Sequence, residues 1–354
     1  MKNTTVLVVD DSLTMRALIS GSLEKVKGID VLGAANGADQ ARTMIRDLDP
    51  DVITLDIEMP GMSGIEFLEE LMSSAPRPVV MFSTLTQKGA AASVDALRLG
   101  AIDCFPKPKV ATPAELAKII DSLAKTLKTA SAKLAARTSG GTPGAPAGGA
   151  AEAKSKARAL ASEPFTWNGK LVAIGADISN TQMLFELLES MPVNCPPILV
   201  VQQIRPELAD SIAAQLSEIV LPKVVKAADA TRIEPGHIYL AEPEGLHMVI
   251  DRWPDGTIRL LDKPAVLGQR PSISLLYAAL AKAGGRQTLG VLLGAEGEDG
   301  VAGAKAMRDA GGLAITPVLD ADKIITGYEF GSANVREPVE IAKLARVILT
   351  QCRG

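Results

Sequence analysis

The stretch KLVAIGADISNTQMLFELLES, residues 170–190, carries the change of period on which the fold turns. Leu171–Ile174 is an apolar run of strand length, Gly175 interrupts it, and from Thr181 onward apolar residues recur at helical spacing. A strand-to-helix corner of this kind is the building unit of an α/β sheet, where ligands and reacting groups gather at the carboxyl ends of the strands. Here the corner carries Asp177, Ile178, Ser179 and Asn180, with no evident nucleophile and no phosphate cradle. The sequence therefore poses a choice between an active site, an altered active site and a plain turn.

The same alternation extends in both directions. Toward the C-terminus the runs PPILVVQQ, KVVKAAD, TLGVLLG and GLAITP read as strands with helices between them. The block GHIYLAEPEGLHMVIDRWPDGTIRLLD interrupts them and reads as hairpins, with PDG as a turn. Toward the N-terminus TVLVVD, DVLGA, DVITLD, RPVVMFS and AIDCFPKP alternate with helical patterns, which predicts a five-stranded parallel sheet covered on both faces. Between them lies TASAKLAARTSGGTPGAPAGGAAEAKSKARALASE, rich in Ala, Gly, Ser and Pro, which cannot bury enough surface to offset its ordering entropy. Its start can extend the preceding helix, whereas SGGTPGAPAGG reads as flexible. The expected organisation is a doubly wound α/β domain over 1–128, a linker over 129–164, and a second doubly wound α/β domain with an antiparallel hairpin section over 165–354.

Composition narrows the function. A net charge of −4 argues against a nucleic-acid-binding protein, which needs a basic face, and 3% aromatic residues leave little for stacking on bases. No apolar run reaches the length of a membrane span, and the N-terminus enters a strand without a signal-peptide layout. Cys104, Cys195 and Cys352 are too widely spaced for a metal knuckle or a disulfide framework, as expected of reduced cytoplasmic thiols.

In the first domain Asp10 and Asp11 follow the first strand, Asp56 ends the third, Ser83 ends the fourth, and Lys107 follows the fifth. All lie at carboxyl ends of parallel strands and so converge on one rim. Three carboxylates in one place call for a hard cation such as Mg2+, which would neutralise an incoming phosphoryl group and leave one carboxylate to attack phosphorus. A lone Asp at a strand end is more simply a helix cap; this combination in this order is not.

The motifs VVDDS, LDIEMPGMSG, VMFSTLTQKGA and PKP, within residues 4–125, resemble a response-regulator receiver domain. The resemblance implies Asp56 as phospho-acceptor, Asp10, Asp11 and Asp56 as Mg2+ acids, and Ser83 and Lys107 as groups that read the phosphoryl group. The aromatic switch residue usual three positions before the lysine is Cys104 here; Phe105 should face the other way. VMFSTLTQKGA is similar more narrowly to the chemotaxis protein-glutamate methylesterase (CheB) family. In the second domain VAIGA, PPILVVQ, EPGHIYLAEPEGLHM, RPSISLLYAAL and GEDGVAGAKAMRDAGG follow that family's segments in order. The family hydrolyses γ-glutamyl methyl esters on chemoreceptors with a Ser–His–Asp triad. Carried over residue by residue, the serine position is Asp177, the histidine position is Gln203, and only Asp299 remains. The glycines after the serine are Ser179 and Asn180, and Glu296 stands in place of a methionine.

The chemistry agrees. An amide at 203 cannot take a nucleophile's proton, and a carboxylate at 177 would still need a base to activate water. His237 and His247 read as structural, and Ser179 as a helix-start cap. Asp177, Glu296 and Asp299 would form a weak cation site or, more simply, an acidic solvated face. The expected function is a phosphorylation-controlled cytoplasmic chemotaxis regulator with a methylesterase-like domain that no longer hydrolyses. It would be served by the histidine kinase of a chemosensory system and dock chemoreceptor tails or another signalling protein, or act as a phosphate sink. The alternative is an active methylesterase or glutamine deamidase with a relocated catalytic set.

Overall fold

The computed structural model describes residues 3–84, 86–107, 113–139, 160–294, 298–319, 325–330, 333–335 and 341–354. The chain divides into two compact units, Met1–Gly149 and Ala150–Gly354.

The first unit runs β1 (Thr4–Val9), α1 (Leu13–Leu23), β2 (Ile29–Ala35), α2 (Ala38–Leu48), β3 (Val52–Asp56), α3 (Gly64–Ser74), β4 (Val79–Ser83), α4 (Gln87–Arg98), β5 (Asp103–Pro106) and α5 (Pro113–Ser139). The sheet order is β2-β1-β3-β4-β5, all parallel, as the five predicted βα units require. Val6 and Val8 pack with Ile19, Leu23, Leu123 and Leu127 of α1 and α5, while the residues between them are buried on the other face. Both faces being covered explains why the strands read as unbroken apolar runs. Helix α3 starts against the end of β3: Gly64 N donates to Ile57 O, and a Cβ on Gly64 would lie 1.8 Å from Asp56 O. Only glycine lets the helix approach the Asp56 backbone so closely. Helix α5 continues through 129–139, the opening of the expected linker, with Ala130 still in the core. The flexible run expected next, from residue 140, lies outside the described residues.

The second unit carries an eight-stranded sheet, β15-β14-β13-β12-β6-β7-β9-β8. Its centre is parallel: β12 (Thr288–Leu292), β6 (Leu171–Asp177), β7 (Ile198–Gln203), β9 (His237–Leu240) and β8 (Lys223–Lys226), with β13 (Leu313–Leu319) beside β12. Antiparallel β14 (Ile325–Phe330) and β15 (Ala333–Val335) complete one side, an extension the sequence reading did not place. Helices α6 (Thr181–Glu189), α7 (Pro206–Ile219), α8 (Ile273–Gly284), α9 (Val301–Asp309) and α10 (Ile341–Cys352) accompany the sheet.

One expectation needs correction. Of the block read as hairpins, only β10 (His247–Ile250) and β11 (Ile258–Leu261) pair antiparallel, around the predicted turn. β9 instead joins the main sheet in parallel between β7 and β8. Its HIYL is too short for its period to distinguish a hairpin strand from a buried parallel one, and Ile238 and Tyr239 are both buried.

Candidate functional site

Each unit gathers polar groups at the carboxyl ends of its strands. In the first, Asp10, Asp11 and Asp56 each place one carboxylate oxygen within 4.8 Å of the others. Asp10 and Asp56 are buried, Asp11 exposed. Lys107 Nζ donates to Asp56 Oδ2 at 2.6 Å and lies 3.3 Å from Asp10 Oδ2. Asp10 Oδ2 itself accepts no hydrogen bond although it is shut away from solvent. A buried carboxylate oxygen with no hydrogen bond beyond its ion pair to Lys107, two neighbouring carboxylates and an all-oxygen donor set fit a hard divalent cation such as Mg2+. Burial raises the Asp56 carboxyl to about 6, helped by the charge of Asp10 and opposed by Lys107 and the Glu58 N–H. Burial acts to lower the Lys107 ammonium, but Asp56 and Asp10 outweigh it and hold it above its ordinary value.

Ser83 is on the same rim, its carbonyl receiving Lys107 N–H at 2.7 Å. Its hydroxyl, however, donates to Gly89 O at 3.0 Å and Thr84 O at 3.2 Å, turned toward the start of α4. Cys104 and Phe105 face opposite ways, as expected. Cys104 Sγ donates to Ser93 O of α4, while Phe105 packs on Phe82 in the core beneath α1 and α5.

In the second unit the register sets Asp177 at the end of β6 beside Gln203 at the end of β7, on the same side of the sheet. Gln203 Nε2 donates to Asp299 Oδ2 at 2.8 Å, so the fold brings all three positions together. Asp299 Oδ2 also accepts from Ile273 N at 2.8 Å, and its Oδ1 from Ser272 Oγ at 2.8 Å and Ser274 N at 2.9 Å. The carboxylate thus sits on the first turn of α8, where it takes up backbone N–H groups that have no helical partner. Four donors use its lone pairs, leaving it unsuited to binding a cation.

Asp177 Oδ1 accepts from Ser179 Oγ at 2.7 Å and Asn180 Nδ2 at 2.6 Å. Gly294 leaves room for this carboxylate, since a Cβ there would lie 2.1 Å from Asp177 Oδ2. Two expectations are therefore corrected. Asp177 and Asp299 are 9% and 7% exposed and hydrogen-bonded, so they do not form a solvated acidic face. Ser179 gives its hydroxyl to a carboxylate two residues back rather than serving as a helix cap. Glu296 lies outside the described residues.

The two histidines have structural surroundings, as expected. His247 is fully buried, with Nδ1 accepting from Ser272 N at 3.1 Å and Nε2 3.0 Å from Pro264 O. His237 stacks on Tyr239 with Nδ1 3.0 Å from Pro235 O. Sequence reasoning missed Ser272 and Gly294, and it named Asn180 without foreseeing its bond to Asp177. Ser272 had a readable signal, a serine before the apolar run of α8, and it does accept from Leu275 N. Its bond to Asp299 had none, because contacts 27 residues apart leave no local pattern.

Family models match this chain as a response regulator receiver domain over residues 6–121 and as CheB methylesterase over 172–320. A protein-glutamate methylesterase/protein-glutamine glutaminase of Agrobacterium fabrum is 40% identical over 86% of this chain and 84% of its own. The chain belongs to the protein-glutamate methylesterase family. A Caulobacter vibrioides relative bearing the same name with the number 1 is 41% identical over 88% of this chain and 86% of its own. The Escherichia coli K12 relative is 34% identical over 98% and 95%. The methylesterase chain described here is accordingly a response regulator joined to a methylesterase domain. Among its described residues no helix is long and apolar enough to cross a membrane.

Proposed function

We propose that this family member is a phosphorylation-controlled chemotaxis regulator whose methylesterase domain does not hydrolyse esters. The observation that carries the reading is the Gln203 side chain, donating to Asp299 at the position where the resemblance calls for a base. An acyl-transfer site needs a group there that can accept the nucleophile's proton and return it to the leaving group; a primary amide does neither near neutral pH. At the nucleophile position Asp177 is buried and engaged by Ser179 and Asn180.

The receiver keeps what phosphoryl transfer needs. Asp56 attacks the phosphorus of a kinase phosphohistidine; the new O–P bond forms as the P–N bond breaks. Lys107, already on Asp56, follows the new phosphate oxygens, and Ser83 reaches them after leaving the Gly89 carbonyl. Asp10, Asp11 and Asp56 would hold Mg2+, which when bound would supply charge neutralisation for the incoming phosphoryl group. The protein works in the cytoplasm with the histidine kinase of a chemosensory system. Phosphorylation governs docking to chemoreceptor tails or another signalling protein, or drains phosphate from the kinase.

A second reading has one observation in its favour. Ser179 Oγ donates to Asp177 Oδ1 at 2.7 Å with the Asn180 amide beside it, a nucleophile–carboxylate pair two residues past the end of β6. Methanol release from a methylated chemoreceptor fragment, with and without a small-molecule phosphodonor and Mg2+, tests both. Phosphorylation of Asp56 without methanol is expected. Methanol above the blank that disappears on Ser179→Ala establishes the relocated set instead.

A further inference from the structure

We infer that Arg16 is a positioning residue for the receiver's cation site, an inference that rests on the assignment of Asp10, Asp11 and Asp56 as its ligands. A single nitrogen, Arg16 Nη1, donates to Asp10 O at 2.8 Å and to Asp11 O at 2.9 Å. In an extended chain successive carbonyls point to opposite sides, so two consecutive ones reach the same atom only if the backbone bends between them. The bend occurs between the last bond to β2, Asp10 N to Ala35 O, and the first of α1, Arg16 N to Ser12 O. Ser12 contributes on the other side: its N–H donates to Asp10 Oδ1 at 2.8 Å, and its hydroxyl accepts from Met15 N at the start of α1. Arg16 and Ser12 between them tie the acidic loop to the first turn of α1.

The consequence for the site is geometric. Asp11 is exposed, and no packing holds its side chain; its share in the 4.8 Å cluster depends on the direction in which the backbone launches it. Both Arg16 bonds go to carbonyl oxygens and leave the carboxylate oxygens for a cation. The guanidinium charge opposes a nearby cation, whereas the bend it enforces assembles the ligands. A fixed ligand set gains more than the repulsion takes away, because groups that orient ligands typically set metal affinity by about 10- to 100-fold.

The two contributions have opposite signs, so one experiment separates them. Mn2+, which reports its own free concentration by electron paramagnetic resonance, is titrated into the full-length parent, Arg16→Met and Arg16→Lys, and the metal-free melting of each is recorded by calorimetry. The expected result is a dissociation constant about 10-fold weaker for Arg16→Met, and recovery to within about 3-fold of the parent for Arg16→Lys, whose ammonium can reach the same carbonyls. Metal-free receiver melting should change little, because the clamp is on a partly exposed loop. Unchanged or tighter Mn2+ binding in Arg16→Met overturns the inference, as does weakening equal in both variants and matched by loss of metal-free melting. A parent that binds no Mn2+ overturns the cation site as well, and so is distinguishable from failure of Arg16 alone.

Discussion

Asp56 is held where burial and a neighbouring ammonium pull in opposite directions, and burial wins. Its carboxyl is raised to about 6 in the folded protein, against about 3.9 in an unfolded chain. The native state therefore binds more protons than the unfolded state between those values, so the stability due to this group is complete below pH 4 and lost as pH rises through 6. Asp56→Asn has no proton to lose. In metal-free buffer its receiver transition should melt above the parent's at pH 7.5, with the gap closing at pH 5; calorimetry at the two pH values checks this. A variant that melts below the parent at pH 7.5 would mean that loss of the Lys107 ion pair outweighs relief of the buried charge. At the other corner Gly294→Ala should destabilise the methylesterase domain by about 1–3 kcal/mol, the usual cost of forcing atoms into a filled space. Asp177→Ala should relieve most of it, since the added Cβ would otherwise lie 2.1 Å from Asp177 Oδ2, while Asn180 Nδ2 at 2.6 Å is left to move. A double-mutant cycle with no coupling between the two sites would refute the contact. The identities of Asp10, Asp11, Asp56, Lys107, Asp177, Gln203 and Asp299 were all legible in sequence. What they touch was not: the room for the Asp177 carboxylate depends on Gly294, more than a hundred residues away.

Helix α8 shows how much an element adds to a site through its end rather than its face. Ser272 caps it through Leu275 N, and Ile273 N and Ser274 N, free of helical partners in the first turn, bind Asp299 instead. Ser272→Ala removes a cap, worth about 1 kcal/mol, and a hydrogen bond to a charged group, worth about 1.5–3 kcal/mol. A loss of about 2–4 kcal/mol is expected, seen as a lower guanidinium midpoint with an unchanged slope. Tryptophan fluorescence isolates the domain concerned, because both tryptophans, Trp167 and Trp253, lie in it and pack together at 6.0 Å. A loss within 0.5 kcal/mol would show that solvent substitutes for the Ser272 hydroxyl. The elements themselves were largely readable from period and turn chemistry, since most strands are buried on both faces and bounded by glycine, proline or polar residues. β9 was not, because a strand of four residues states neither its orientation nor its partner; β7 and β8 decide both.

Across the whole chain, the proposed loss of esterase activity comes down to a small number of atoms, and those atoms are placed so that the difference can be reversed. Asp299 is already held on the first turn of α8, and Gln203 already delivers an N–H to it from the end of β7. An imidazole at 203 can offer Asp299 its own N–H and turn the second ring nitrogen toward the end of β6, where Asp177 is its register partner. Asp177→Ser with Gln203→His should therefore release methanol from a methylated chemoreceptor fragment when the parent does not. Each single substitution should stay at the blank, because a nucleophile without a base and a base without a nucleophile are alike idle. A gain of about 100-fold over the parent would be the lower end of what a positioned general base supplies. A folded double variant that stays silent would mean that the corner has lost more than two groups, with Asn180 and Glu296 the next positions to restore. An active parent made inactive by Asp177→Ser would reverse the conclusion altogether: Asp177 would then be working with Ser179, and the chain would be an enzyme whose catalytic pair has moved by two residues.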